Sequence, residues 1–391
     1  MRPSHAMLIV LLLLPSACAR RLAPIEAGRA FEPDQREQRL WEATRRMSAE
    51  LAAGGVRCRD DALERYVQAV LDKLIEEDAA AFAPLTPRVL ILDCDIPNAF
   101  SLPHGDIYVH TGILARLRNE AQLAMLLGHE LTHATHRHVH AWREDAYLRT
   151  GAGAYVSVLS SPAGYYSNAI GALSQVLTLA AVSGFSRENE AEADRVGMQR
   201  MAFAGYDPRE APRLFERMLE AADSKGRRWN FLYATHPRMK ARVASCQRLL
   251  ANVARSGPAT VGEAEYLSAA GELIYAEVRR HLAIGRFDLA LQTAQFLCEK
   301  SASARAYALL GDVFRERGAA GDGAAAEASY LQALQLDGEA AEVHRGLGLL
   351  ALRRGDRPVA RAHLARYLQS CPDAPDAALI RSEMERIGGD E

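Results

Sequence analysis

Hydrophobic and polar positions in this chain recur mostly at helical spacing, with two short stretches of strand character. From Asp34 to Glu77 the pattern is helix-rich and breaks at Gly54-Gly55. Val89-Leu90-Ile91-Leu92 is an apolar run of strand length. Ala99 to Val109 holds a second strand region, turned around Pro103-His104-Gly105-Asp106. Within it Asp106-Ile107-Tyr108-Val109-His110 reads as an edge, where an extended peptide could pair with the backbone. Strong helix formers from Glu120 to Gly128 predict a helix whose Leu123, Leu126, Leu127 and Leu131 suit a buried face. Another helix starts at Ser186 and runs to Ala204, where Gly205-Tyr206-Asp207-Pro208 stops it and starts the next, to about Ala222. A further helix covers Ala241 to Val253, and Ser256-Gly257-Pro258 marks a domain boundary.

Beyond that boundary the pattern repeats. Leu347-Gly348, Gly355-Asp356, Ala360, Leu364, Tyr367 and Pro372 match tetratricopeptide spacing. Leu310-Gly311, Phe314, Gly318, Ala326, Tyr330 and Ala333 form an earlier copy, with extra residues at Gly321-Asp322-Gly323. Gly311 and Gly348 stand 37 positions apart, the repeat length of about 34 plus that insertion. Gly285, Ala290 and Ala294 mark a weaker first copy. Stacked helix pairs of this kind leave a concave surface for partners.

At 391 residues the chain has room for two or three domains. A net charge of -2 speaks against a basic surface for nucleic acid. From Thr150 to Ser186 there is no charged residue, but Ser174, Gln175, Thr178 and Ser183 interrupt the apolar part. It is also shorter than the ~20 residues of a spanning helix, so a loop followed by a buried helix is expected.

The candidate chemistry lies in His129-Glu130-Leu131-Thr132-His133. Residues i and i+4 of a helix share a face, so both imidazoles can reach one metal ion. Glu130 can then address a water on that metal. A surface helix with two histidines is the competing reading. A catalytic zinc commonly has a third protein ligand and an open position. Glu190 and Asp194, again i and i+4, open the helix capped by Ser186. Glu190 is the candidate third ligand, with Asp194 behind it to orient a ligating histidine. Glu188 and Glu192 read as a solvated face, and Ala191 and Ala193 as close packing. His136, His138 and His140 read as the polar end of the first helix, where cations suit the dipole.

Four stretches together resemble the zinc metallopeptidase family that includes HtpX and the CAAX prenyl endopeptidases. They are Asn98-Ala99-Phe100 with Ile107-Tyr108-Val109, His129 to His138, Glu190 to Asp194, and Thr235-His236-Pro237 with Arg242. The resemblance is greatest to the periplasmic, BepA-like branch of outer-membrane assembly, which joins such a protease to tetratricopeptide repeats. It implies one zinc ion per chain, held by His129, His133 and Glu190, with Glu130 as general base. It places His236 over the metal, either stabilising the oxyanion or filling the open position. Arg242 would partner developing negative charge, or Glu190 and Asp194. His104 stands where related sequences often have glycine.

The expected fold is mainly α with a small β-sheet: a zincin-type (gluzincin) metallopeptidase domain over 35–255, then an α-solenoid of repeats over 259–388. The N-terminus reads as a targeting segment. Arg2, the apolar core Met7 to Leu14 and Pro15-Ser16-Ala17-Cys18 resemble a bacterial lipoprotein signal of residues 1–17. Cys18 would carry lipid and residues 18–34 would form a tether; plain secretion is the alternative, since Pro15 replaces the usual Leu. Five further cysteines are scattered singly, without a readable pairing. The expected activity is a zinc endopeptidase at the periplasmic face of the outer membrane. Its expected substrates are unfolded or misassembled outer-membrane proteins, and its partner the β-barrel assembly machinery. A chaperone-like adaptor with a latent or structural zinc site is the competing class.

Overall fold

The computed structural model describes residues 22–26, 28–53, 55–75, 82–141, 185–223, 239–251, 253 and 258–388. The signal segment with Cys18, the uncharged stretch up to residue 184 and His236 lie outside them. The described residues are mainly helical, with one small sheet. They divide into two compact units, the first holding most residues up to Glu265 and the second Tyr266 onward.

The first unit contains α1 (Gln35–Ala53), α2 (Asp61–Ile75), β1 (Arg88–Leu92), β2 (Ala99–Ser101), β3 (Asp106–His110), the short α3 (Thr111–Leu114), α4 (Glu120–Thr135), α5 (Arg187–Phe203), α6 (Glu210–Asp223) and α7 (Met239–Leu249). Strand order is β1-β3-β2, with β1 parallel and β2 antiparallel to β3. The expectation that Asp106–His110 forms an edge is therefore wrong: it is the central strand, paired along its length with β1 on one side and with β2 on the other. The three residues of β2 form an outer edge. The outer side of β1 is partly covered, since Cys58 donates its N–H to Ile91 O and Gln68 Oε1 accepts from Val89 N.

His104 is buried. Its Nδ1 lies 2.8 Å from Thr44 Oγ1 of α1, and its Nε2 3.1 Å from Asp106 Oδ2. Arg88 binds the same carboxylate through two nitrogens. The segment expected to be a tether is also packed in part, because Ile25 is buried and donates its N–H to Thr135 O at the end of α4.

α4 is the centre of this unit, and every one of its residues is buried. It packs against α2, α5, β2 and β3. A helix end has orphan N–H groups, and here each finds an acceptor. Asn119 caps Gln122 N at 2.8 Å. Glu120 N and Ala121 N donate to Gly262 O and Val261 O. The Glu120 carboxylate is in turn held by Lys73 and the hydroxyls of Tyr66 and Tyr206.

The second unit holds α8 (Glu263–Ala283), α9 (Phe287–Ser301), α10 (Ala304–Arg317), α11 (Asp322–Leu336), α12 (Ala341–Arg354), α13 (Arg357–Ser370) and α14 (Ala377–Gly388). From α9 to α14 neighbours in sequence pack together, α10 with α11 and α12 with α13 most extensively. The small and aromatic positions picked out by the repeat spacing, Ala326, Tyr330, Ala333, Ala360, Leu364 and Tyr367, are buried. At Gly311 a Cβ would stand 2.5 Å from the Tyr330 ring, so only glycine admits the tyrosine there. Among the described residues no helix is long and apolar enough to cross a membrane.

Candidate metal centre

α4 carries His129 and His133 one turn apart, with their Nε2 atoms 3.1 Å from each other. The first turn of α5 brings Glu190 to the same point. Its carboxylate oxygens lie 3.7 Å from His129 Nε2 and 3.4 Å from His133 Nε2. All three residues are buried, and one ligand atom from each falls within 4.8 Å of the others. Ligands about 2.0–2.2 Å from a tetrahedral ion stand roughly 3.3 Å from one another, so the observed spacings match a common ion. Burial pushes His133 well below the ordinary imidazole range, although Glu190 works against this. A neutral imidazole keeps the lone pair that a metal needs. Two imidazoles and one carboxylate suit a divalent transition metal and leave a fourth position for water or substrate.

The crossing of α4 and α5 explains the approach of Glu190. A Cβ at Gly128 would stand 3.1 Å from Gly197 O, and one at Gly197 would stand 2.9 Å from His129 N. Two glycines thus let the α5 backbone touch α4 beside the first histidine. Ser186 caps α5 by accepting from Asn189 N at 3.2 Å, which sets where the first turn begins. Ala193 is buried, but Ala191 is exposed, so only one of the two alanines serves close packing.

Asp194, one turn beyond Glu190, places Oδ1 3.0 Å from His129 Nδ1. Both Asp194 Oδ1 and Arg242 Nη2 lie 3.0 Å from His129 Nδ1; with Nε2 facing the ligand cluster, the hydrogen is assigned to Nδ1 and donated to the carboxylate, the only acceptor of the two. Arg242 of α7 binds the same carboxylate, with Nη2 2.6 Å from Oδ1 and Nε 3.1 Å from Oδ2. Its Nη1 lies 3.5 Å from Glu190 Oε2, and its guanidinium stacks 4.0 Å over the Phe215 ring. Burial alone would raise the Asp194 carboxyl, but the charge of Arg242 and the bond from His129 hold it below the ordinary range. The fully buried Arg242 is likewise pushed down by burial and raised overall by Asp194 and Glu190.

Glu130 is buried on α4 next to His129. His136 and His138 do not form a cationic helix end. Burial lowers His136 to about 4 and also lowers His138. His138 and His140 are buried, and His138 lies against His133. Glu192 is only partly exposed and reaches His138. These two residues, with the glycine pair, escaped sequence reasoning. The one available signal was the histidine at i+5 from His133, which falls off the helical face only if the helix continues.

Residues 61–250 match peptidase family M48. The chain is 30% identical over 194 residues to the beta-barrel assembly-enhancing protease of Escherichia coli (strain K12), covering 48% of this chain and 39% of that protein. It is 33% identical over 186 residues to a mitochondrial metalloendopeptidase of Schizosaccharomyces pombe, covering 47% of this chain and 52% of that protein. A mitochondrial metalloendopeptidase of Arabidopsis thaliana is 36% identical over 162 residues, 40% of this chain and 30% of its own length. The chain thus spans about half or less of the length of these relatives.

Proposed function

We propose that residues 61–250, a metallopeptidase domain of family M48, form a zinc endopeptidase in which His129, His133 and Glu190 hold the ion and Glu130 is the general base. The observation that carries this reading is the convergence of three buried ligand atoms beside a buried glutamate on the same helix. When bound, zinc supplies a Lewis acid that polarises the scissile carbonyl and lowers the pKa of water. Glu130 takes a proton from the attacking water and passes it to the leaving amine. Asp194 holds His129 in the tautomer that turns Nε2 inward, and Arg242 keeps Asp194 ionised. His236 acts over the same centre, on the oxyanion or in the fourth position.

Substrate binding follows from the sheet. β2 is one of the two outer strands, and it packs against α4. An extended substrate that adds to β2 runs alongside the catalytic helix, with its backbone held by strand pairing. The role once expected of β3 belongs to this strand.

The wider setting is part of the proposal. Residues 259–388 act as tetratricopeptide repeats that recruit unfolded or misassembled outer-membrane proteins, or the β-barrel assembly machinery. Support comes from the repeat spacing, the sequential pairing of α10 to α13, and similarity to proteins named beta-barrel assembly-enhancing proteases. Cys18, reached by the lipoprotein-like segment, anchors the chain at the periplasmic face of the outer membrane.

Metal removal is the test. Phenanthroline should abolish cleavage of unfolded casein by the purified full chain, and added zinc should restore it. Cleavage that survives chelation, or that zinc fails to restore after chelation, contradicts the reading.

A further inference from the structure

The two histidines on α4 have different outer partners. His129 is backed by Asp194 and Arg242. His133 Nδ1 instead lies 2.9 Å from Nδ1 of His138, and His138 Nε2 lies 3.3 Å from Glu192 Oε2. His133 and His138 are both buried, and Phe185 stacks on the His133 ring with centroids 3.8 Å apart.

The chain makes a specific turn to reach this arrangement. α4 ends at Thr135, and Arg137 adopts the left-handed region with φ 58. A residue with a side chain adopts that conformation at a cost of about 1 kcal/mol or more. Three contacts hold it. Arg137 binds the buried Glu37 carboxylate through Nε at 2.9 Å and Nη2 at 2.5 Å. Its guanidinium lies 5.0 Å over Phe31. Ile25 N takes the Thr135 carbonyl that the ended helix leaves open. The turn brings His138 back onto the outer side of His133, where a continuing helix would have carried it away.

We propose that His138, backed by Glu192, is a positioning residue for the metal ligand His133. The inference rests on the reading of His133 as a ligand. With Nε2 of His133 committed to the metal, its Nδ1–H is donated to His138 Nδ1. His138 then carries its hydrogen on Nε2 and donates it to Glu192. The relay fixes the ring orientation of His133 and raises its basicity, as a carboxylate behind a ligating histidine does. Glu192, two residues beyond Glu190, ties this support to the strand of contacts that delivers the third ligand, so α5 serves both histidines.

The test is zinc affinity of the purified full chain, measured by competition with a chromophoric chelator, with melting temperature recorded for each variant. His138→Leu should weaken zinc binding by about 10- to 100-fold. His138→Asn, which keeps an acceptor oxygen near the place of Nδ1, should recover most of that loss. Glu192→Gln should weaken binding by a smaller factor, and Glu188→Gln, an exposed glutamate on the same helix, should leave it unchanged. If His138→Leu fails to fold, Glu192→Gln decides, since it changes only a partly exposed carboxylate. Zinc binding within about twofold of the parent in both His138→Leu and Glu192→Gln overturns the inference, including where the melting temperature falls, because His138 is then a packing residue. His133→Ala separates this failure from that of the parent reading. If it binds zinc as the parent does, the ligand assignment itself is wrong.

Discussion

α4 in the first unit and α12 and α13 in the second are helices of similar length with opposite ways of being held. All of α4 is buried, including Glu120, Gln122, His129, Glu130, Thr132 and His133. In α13 only Ala360, Leu364 and Tyr367 are buried, and the rest faces outward or lies part-covered. A buried polar group must find a partner. α4 finds its partners far away in sequence, in Lys73, Glu190, Asp194, Gly262 and Glu210. α13 packs on its neighbour α12 with Leu364 in the space left by Gly348, and its polar partners lie close by in sequence: the Tyr367 hydroxyl donates to Asp376, and His363 lies 2.9 Å from His344 of α12. α4 is therefore sensitive at charges contributed from far along the chain, and the α12–α13 pair chiefly at side-chain size.

Four perturbations test this contrast, in decreasing order of expected effect. Glu130→Gln should lower kcat/KM on an unfolded protein about a hundred- to ten-thousand-fold, with metal content and melting temperature retained. Arg242→Met leaves the Asp194 carboxylate buried without its counter-charge, and should cost the first unit about 3–5 kcal/mol in urea unfolding. An unchanged unfolding midpoint would show that α4 does not depend on remote charge partners.

Acid provides the third. Burial holds His110 at about 4 in the folded chain, against an ordinary value near 6.5. Between these values the unfolded chain binds a proton that the folded chain does not, so stability falls as pH drops from about 6.5 toward 4. This group contributes up to about 3 kcal/mol of that loss. Urea unfolding of metal-free protein at pH 7, 6 and 5 should show it. His110→Asn, which keeps a donor for Ile96 O, should flatten the slope.

The smallest effect belongs to the second unit. Gly348→Val meets Leu364 and should destabilise that unit by about 1–3 kcal/mol, with zinc affinity and cleavage of casein unchanged. A loss of zinc on this substitution would break the contrast.

Much of the site was legible because its chemistry is local. His129, Glu130 and His133 lie within one helical turn and a half, and Glu190 and Asp194 one turn apart on the next long helix. The buried positions of the second unit were legible for a related reason, since their spacing repeats. What escaped depends on distant partners. β3 and β1 are both short apolar runs, and only the parallel pairing between them makes β3 central. Nothing at Arg137 announces a left-handed residue, because glycine or asparagine is the usual signal. Its sequence position alone therefore marks His138 as the end of a helix rather than as a contact of His133. Gly128 and Gly197 look like weak points in two helices until the helices are seen to touch there. Glu192 looks solvated on its own helix and finds its partner only through that turn.

The most direct test of the account is a paired measurement of bound zinc and of unfolded-protein cleavage in the parent and in Glu130→Gln. The account predicts one zinc ion per chain in both proteins and cleavage by the parent alone. Cleavage by both at similar rates, or a parent that holds no zinc, would contradict it.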